Sequence, residues 1–156
     1  MLDNALFKPI AGGIVLGING VHTRDGSLYF TNSLQKLFGR VPISSSGTAT
    51  GPYKVIAYNG FGDDFTFDFE GNAFVAQDPG DALEKITPEG KVTILAGNTN
   101  STILEGDTSA AFGRTWRDWE TLYVTTNGGI TGLVPGTRVV GGKVLAVDVR
   151  TLLAQQ

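Results

Sequence analysis

The chain repeats a short strand-like segment three times, and this internal repeat constrains the fold more than any other feature. The copies are Asp25–Thr31, Glu70–Ala76 and Glu120–Thr125, and their matching aromatic positions, 29, 74 and 123, lie 45 and 49 residues apart. A further strand-like segment follows each copy, and another follows the first two. Units of roughly 40–50 residues with four strands each are typical of β-propeller blades. The sequence therefore predicts an all-β fold, a half propeller of three four-stranded blades.

The predicted partial β-propeller domain covers residues 1–156, with blade units at roughly 18–60, 61–106 and 107–149. The 22 glycines are about twice the usual share of roughly 7%, and they are dispersed between short aromatic and β-branched runs. That distribution indicates many tight turns rather than a disordered tract. A β-sandwich with coincidental spacing is the alternative. Three blades do not close a ring, so we expect either a missing N-terminal half or a homodimer that completes the propeller.

Three stretches carry further motifs in a fixed order: Asn19–Thr31, Asp63–Ala76 and Thr108–Thr125. The first begins Asn-Gly and ends Leu-Tyr-Phe-Thr, the second contains Glu-Gly-Asn before an aromatic-Val-Ala run, and the third contains Phe-Gly before Leu-Tyr-Val-Thr. In this order they resemble the last three blades of the senescence marker protein/gluconolactonase/luciferin-regenerating enzyme superfamily. Fungal members, some of them from natural-product gene clusters, are the most similar in character.

This resemblance implies a six-bladed propeller with one divalent cation at the mouth of its central channel. Ca²⁺ is the expected ion, with Mg²⁺ or Zn²⁺ as alternatives. The Asn and Asp ligands of the family correspond to Asn19 and Asp63, while nothing in this chain supplies the family's first-blade Glu. Asp64 stands where the family usually has Gly, which places a second carboxylate beside the site.

Asp63 is the predicted catalytic residue. Oxygen ligands suit hard cations, and a cation-bound water near Asp63 would attack a lactone carbonyl while Asp63 takes the proton. The structural alternative for Asn19 and Asp63 is that both form Asx turns before strands. Neighbouring side chains of an extended strand point to opposite faces, so we expect Asp63 to face inward and Asp64 to be structural or held in a bulge.

His22, Asp64, Thr126 and Asn127 are further candidates for the substrate pocket. His22 is the single histidine, which excludes a centre of several histidines, and its offset of three from Asn19 places the two on opposite faces of a regular strand. A hydrogen-bonded structural role is one interpretation of His22, and a pocket acid or base is the other. Thr126 and Asn127 follow a strand and are assigned to the pocket rim by family geometry.

Composition and charge limit the other classes of function. The formal net charge is −3 and the basic residues are scattered, so nucleic acid is not an expected partner. There is no Cys, which excludes disulfides and Cys-ligated zinc. No run approaches the roughly 18 apolar residues of a membrane span, and the acidic start of the chain lacks the pattern of a signal peptide. We expect a soluble protein that binds a small molecule, not a membrane, and its location stays open.

Three functions compete. The first is a gluconolactonase-like, divalent-metal-dependent hydrolase of lactones or esters, or a partial domain of one. The second is a metal-free fungal enzyme that cyclises a natural-product intermediate by positioning it. The third is a non-catalytic truncated propeller or binding scaffold, because a propeller fold does not fix function.

Overall fold

The computed structural model describes residues 1–129 and 140–154, and this part of the chain is all-β apart from two short helical segments. The first segment is a 3₁₀ turn at Ala5–Phe7, and the second is α1 at Val149–Leu153. Neither described helix is long and apolar enough to cross a membrane.

Eleven described strands form three antiparallel sheets, each a meander in chain order. The first sheet contains β1 (Ile18–Arg24), β2 (Ser27–Asn32), β3 (Leu37–Pro42) and β4 (Lys54–Tyr58). The second contains β5 (Gly62–Phe67), β6 (Ala73–Gln77), β7 (Ala82–Ile86) and β8 (Val92–Gly97). The third contains β9 (Asp107–Phe112), β10 (Thr121–Thr126) and β11 (Lys143–Asp148). This architecture confirms the predicted partial β-propeller, and we call the sheets blades 1, 2 and 3.

Local sequence explains the tight hairpin between β1 and β2. Asp25 and Gly26 connect the strands with positive φ angles of 48° and 69°. A two-residue turn with both φ values positive matches the right-handed twist of the strands, and Asp-Gly is one of the pairs that tolerate it. The turn fixes the register that pairs Arg24 with Ser27 and His22 with Tyr29.

Two hydrophobic clusters hold the blades together. Between blades 1 and 2, Phe38 packs edge-on against Phe65 with ring centroids 5.0 Å apart, and both rings are buried. Between blades 2 and 3, Phe74 of β6 joins Leu122 and Val124 of β10 in a second buried cluster. Because each cluster draws on two blades, burial of apolar side chains fixes the blades relative to each other.

Blade 3 differs from the four-stranded prediction, since its described residues form three strands. The chain leaves β11 directly into α1, where the Asp148 side chain accepts a hydrogen bond from Thr151 N, and Val149 is buried in the second cluster. Within residues 1–129 and 140–154, the outer edge of β11 has no paired strand.

The innermost strands β1, β5 and β9 lie next to one another, with β5 in the middle. Each is the first strand of its blade, so all three begin at the same end of the fold. Strand β5 ends at Phe67, because Asp68 accepts hydrogen bonds from the backbone and side chain of Asn72 and forms a turn.

Candidate functional site

The three innermost strands carry a β-bulge at the same position of the repeat. In β1 the pairing shifts between Ile18 and Val21, and in β5 it shifts between Gly62 and Phe65. In β9 the shift falls at residue 108, between Asp107 and Ser109. A bulge sets two residues against one and redirects their side chains. The bulges therefore place residues 19–20, 63–64 and 108–109 around one open cavity, which we call the mouth.

Two hydroxyl groups of blade 1 hold its bulge against blade 2. Thr31 Oγ1 accepts a hydrogen bond from Gly20 N at 2.8 Å and donates to the Asp63 carbonyl oxygen at 2.5 Å. Ser33 Oγ accepts from Asn19 Nδ2 at 3.1 Å and donates to the Gly62 carbonyl oxygen at 2.7 Å. Both hydroxyl residues are buried. The position of the Asn19 side chain is thus coupled to the backbone of β5.

Asp64 connects the three innermost strands. Its Oδ1 lies 3.0 Å from His22 Nε2 on β1, and its Oδ2 accepts a hydrogen bond from Ser109 Oγ on β9 at 2.9 Å. Burial alone would raise the pKa of this carboxyl, but hydrogen bonds from His22, the Phe65 backbone N–H and Ser109 lower it below its ordinary value. An ionised carboxylate only accepts, so the hydrogen between Asp64 and His22 lies on Nε2.

The pKa of Asp63, the neighbour of Asp64, is shifted in the opposite direction. Burial, followed by the nearby carboxylates of Asp78 and Asp64, raises its pKa to about 6, and a hydrogen bond from Asn19 opposes this shift. A carboxyl that titrates near neutrality is suited to take or give a proton. Asp63 and Asp64 line the same open cavity, because the bulge removes the alternation expected of a regular strand.

The mouth cavity has a volume of about 540 Å³ and opens to solvent. It is lined by the bulge residues and their neighbours: Asn19, Gly20, Val21, His22, Asp63, Asp64, Thr108 and Ser109. Asn19 and His22 share this cavity, since the bulge in β1 changes the offset expected for a regular strand. Its volume lies within the range of small-molecule sites.

Thr126 and Asn127 lie beside this cavity and do not line it. Thr126 is buried, and its hydroxyl accepts a hydrogen bond from Lys143 N at 3.2 Å. Asn127 Nδ2 donates to Asp78 Oδ2 at 2.7 Å. Asn127 therefore acts on the mouth through Asp78, whose charge raises the pKa of Asp63.

Sequence reasoning missed Thr31, Ser33, Asp78, Thr108 and Ser109. Thr108 and Ser109 occupy in blade 3 the repeat positions of Asn19-Gly20 and Asp63-Asp64. Extending the repeat alignment from the aromatic positions back to the bulges would have found them. Thr31 and Ser33 carry no such signal, because their role depends on the contact between neighbouring blades.

The mouth has fewer oxygen ligands than a divalent cation site requires. Asn19 and Asp63 offer one amide and one carboxylate group, whereas Ca²⁺ takes six to eight oxygen ligands. Among residues 1–129 and 140–154, no group of three His, Cys, Asp or Glu side chains is arranged to hold a metal ion. The described residues therefore do not by themselves fit the divalent cation that the family resemblance implies.

The fold and the polar mouth define a segment of a β-propeller with an open, polar cavity at one end of its innermost strands. Comparison with solved structures supports the fold expected from the sequence, because the chain is similar in fold to a luciferin-regenerating enzyme and to regucalcin. It superposes on a luciferin-regenerating enzyme with a TM-score of 0.60 and 22% identity, over 83% of this chain and 44% of that one. It superposes on regucalcin, a calcium-binding protein from Agrobacterium tumefaciens, with a TM-score of 0.55 and 18% identity, over 76% of this chain and 40% of that one.

A curated relative adds a sequence match. A protein of the fungus Phoma sp described as a putative hetero-Diels-Alderase is 35% identical over 123 residues, which cover 75% of this chain. The matched region spans 35% of that relative, so this chain corresponds to about a third of its length. No protein-family model matches the chain.

Proposed function

We propose that this chain forms one side of the active site of a fungal-type biosynthetic propeller enzyme, which cyclises a small organic substrate at the channel mouth. The observation that carries the proposal is the Asp64 network, in which one carboxylate orients groups from blades 1 and 3. The relative described as a putative hetero-Diels-Alderase supports the same class of chemistry.

The network prepares His22 for contact with a substrate. Nε2 is held by Asp64, and the ring packs edge-on against buried Phe65 with centroids 4.7 Å apart. Nδ1 has no hydrogen-bond partner among the described residues. The side chain is 40% exposed at the cavity wall. His22 is therefore fixed in orientation while one ring nitrogen stays available.

A hetero-Diels–Alder cyclisation needs positioning more than acid–base chemistry. Two σ bonds form between a conjugated carbonyl heterodiene and an alkene of the same molecule, three π bonds are replaced by one, and no atom leaves. Holding the two ends in contact removes much of the entropic barrier. When His22 is protonated, Nδ1–H donates to the carbonyl oxygen and draws electron density from the heterodiene. The mouth residues thus select one folded conformation and polarise one oxygen.

The test uses a tethered heterodiene–alkene substrate whose spontaneous cyclisation gives a racemic product. We expect an enantiomeric excess in the presence of the chain, measured by chiral chromatography, and the same excess after treatment with EDTA. Asp64→Ala is expected to abolish the excess, while Thr23→Val, an exposed change on the same strand as His22, leaves it unchanged. A racemic product with the unmodified chain contradicts the proposal.

Lactone hydrolysis is the second candidate, and the raised pKa of Asp63 favours it. A carboxylate with a pKa of about 6 can accept the proton of a water molecule that attacks a lactone carbonyl. Asn19, hydrogen-bonded to Asp63, lies where its amide can orient that water or the carbonyl. For this reaction, Asp63→Asn would abolish hydrolysis of a δ-lactone, measured by the release of acid. Asp68→Asn, in the remote turn, serves as the matched control.

Calcium binding belongs to this second candidate. The regucalcin neighbour is a calcium-binding protein, and Asn19 with Asp63 would contribute two ligands if further blades supply the others. Isothermal titration with Ca²⁺ tests it directly. Binding that Asp63→Asn removes supports the hydrolase, whereas hydrolysis that persists in Asp63→Asn after chelation contradicts it.

A further inference from the structure

A second cavity lies at the far end of the innermost strands, away from the mouth. It has a volume of about 560 Å³ and lies between blades 2 and 3. Phe67 ends β5 and Phe112 ends β9, while the mouth residues Asp63 and Thr108 lie near the starts of the same strands. Four residues of extended strand span about 13 Å, so the two cavities are separate.

The walls of this cavity, which we call the distal groove, are aromatic and aliphatic. The lining contains the aromatic side chains of Phe67, Phe69, Phe112 and Trp119, together with Val149 and Leu153 of α1. The Phe69 and Trp119 rings lie 5.9 Å apart at an interplanar angle of 57°. Phe69 is 82% exposed and Trp119 is 47% exposed. Two large aromatic rings are thus left in solvent at the rim of a concave apolar surface, which is typical of a ligand site.

The cations at the groove are already neutralised. Arg24 donates to Asp25 Oδ2 at 3.1 Å and to the carbonyl oxygens of Asp68 and Phe69. Arg150 forms an ion pair with Glu120. The carboxylate of Glu70 also lines the groove. An anionic ligand would meet paired cations and an additional negative charge, so the charge pattern disfavours an anion, and the apolar side chains of the lining favour an uncharged occupant.

We propose that the distal groove is a second binding site for an uncharged, flat apolar molecule of roughly the size of a three- or four-ring aromatic compound. Its volume fits a ligand of this size, the Phe69–Trp119 pair supplies ring faces and edges, and the α1 side chains supply an aliphatic wall. The site is independent of the mouth and of the reaction performed there.

The test titrates the purified chain with Nile red, an uncharged aromatic dye, and follows its emission. We expect saturable binding of one dye per chain with a blue shift. Trp119→Ala is expected to weaken binding at least tenfold. Trp116→Ala, which removes an 80% exposed tryptophan that does not line the groove, should leave the affinity within twofold.

A second variant keeps the test valid if Trp119→Ala perturbs folding. Leu153→Trp fills the groove and leaves its aromatic wall in place, and it should also abolish binding, with circular dichroism matching that of the unmodified chain. Asp63→Asn should not change dye affinity, which separates this site from the mouth. The proposal would be overturned by an equal loss of dye affinity in Trp116→Ala or by full binding in Leu153→Trp. It would also be overturned by tighter binding of the anionic dye 1-anilinonaphthalene-8-sulfonate or by the absence of saturable binding.

Discussion

The three equivalent bulges contain different residue pairs, and Gly20 shows why one pair cannot replace another. A Cβ on Gly20 would lie 2.7 Å from Asp64 Oδ1 and 2.8 Å from the Asp63 carbonyl oxygen. The side chain of Asp64 therefore occupies the space that a side chain at position 20 would need. Glycine is required here by close approach of β1 to β5, since its φ angle is not positive.

Gly20→Ala is expected to destabilise the chain by about 1–3 kcal/mol, because the new methyl group must displace Asp64 or the β5 backbone. Urea unfolding followed by fluorescence measures the change. Gly141→Ala is the matched control, since a Cβ there meets no atom within 4 Å. Equal stability of the two variants would show that β1 and β5 do not approach this closely in solution.

Asp107 predicts a specific dependence of stability on pH. Its side chain is fully buried, and burial raises its pKa to about 8 although Gln77 N donates to Oδ2 at 3.0 Å. The unfolded chain has the ordinary value near 3.9, so the native state binds the extra proton between about pH 4 and 8. The native state therefore loses stability as the pH rises through this interval.

Asp107→Asn should remove this part of the pH dependence. The unmodified chain should lose on the order of 5 kcal/mol of stability relative to the variant between pH 4 and pH 9, because the amide carries no charge at either pH. Urea titrations at the two pH values give the difference. An unchanged difference between the two proteins would mean that Asp107 is solvated or paired in solution.

At the scale of elements, the short strands could be predicted from the sequence, whereas the β-bulges within them could not. The repeated segments Asp25–Thr31 and Glu120–Thr125 correspond closely to β2 and β10. The bulges were not predictable in position, because Asn-Gly, Asp-Asp and Thr-Ser share no local signal. Only the prediction that Asp63-Asp64 needs a bulge to share a face followed from side-chain alternation. Among the described residues blade 3 has three strands and α1 follows β11 directly, and a five-residue helix is too short for periodicity to reveal it.

Thr31 tests how the elements are joined at the mouth. Thr31→Val keeps the shape of the side chain and removes both the acceptor for Gly20 N and the donor to Asp63 O. We expect a loss of about 1–3 kcal/mol, because buried polar groups of β1 and β5 lose their partner. Thr23→Val on exposed β1 surface should change the free energy of unfolding by less than about 0.5 kcal/mol. The two variants are compared by urea unfolding. An unchanged free energy of unfolding in Thr31→Val would show that this hydroxyl does not stabilise the contact between β1 and β5.

At the scale of the whole molecule, the described chain is an open arc of blades. Val144 of β11 is 68% exposed, and the outer edge of β11 has no partner strand among the described residues. Val21 on the opposite blade is also exposed. An unpaired strand edge next to apolar side chains favours association with further blades.

Light scattering after gel filtration measures whether the chain supplies those blades itself. We expect a dimer with twice the chain mass of 16.5 kDa, in which two three-bladed segments complete one ring. Val144→Lys places a charge beside the exposed strand edge and should shift the equilibrium towards the monomer. A stable monomer at high concentration contradicts association of this chain with itself and assigns ring completion to other blades.

Asp64 holds His22 and Ser109 together at the mouth, and the single histidine makes this arrangement directly measurable by NMR. Because the Asp64 carboxylate accepts a hydrogen bond from Nε2, we expect the Nε2–H tautomer whenever the His22 ring is neutral, with a downfield Nε2–H signal. Asp64→Asn should lose that proton signal, while Ser109→Ala should keep it. A Nδ1–H tautomer, or a ring proton unaffected by Asp64→Asn, would contradict the account.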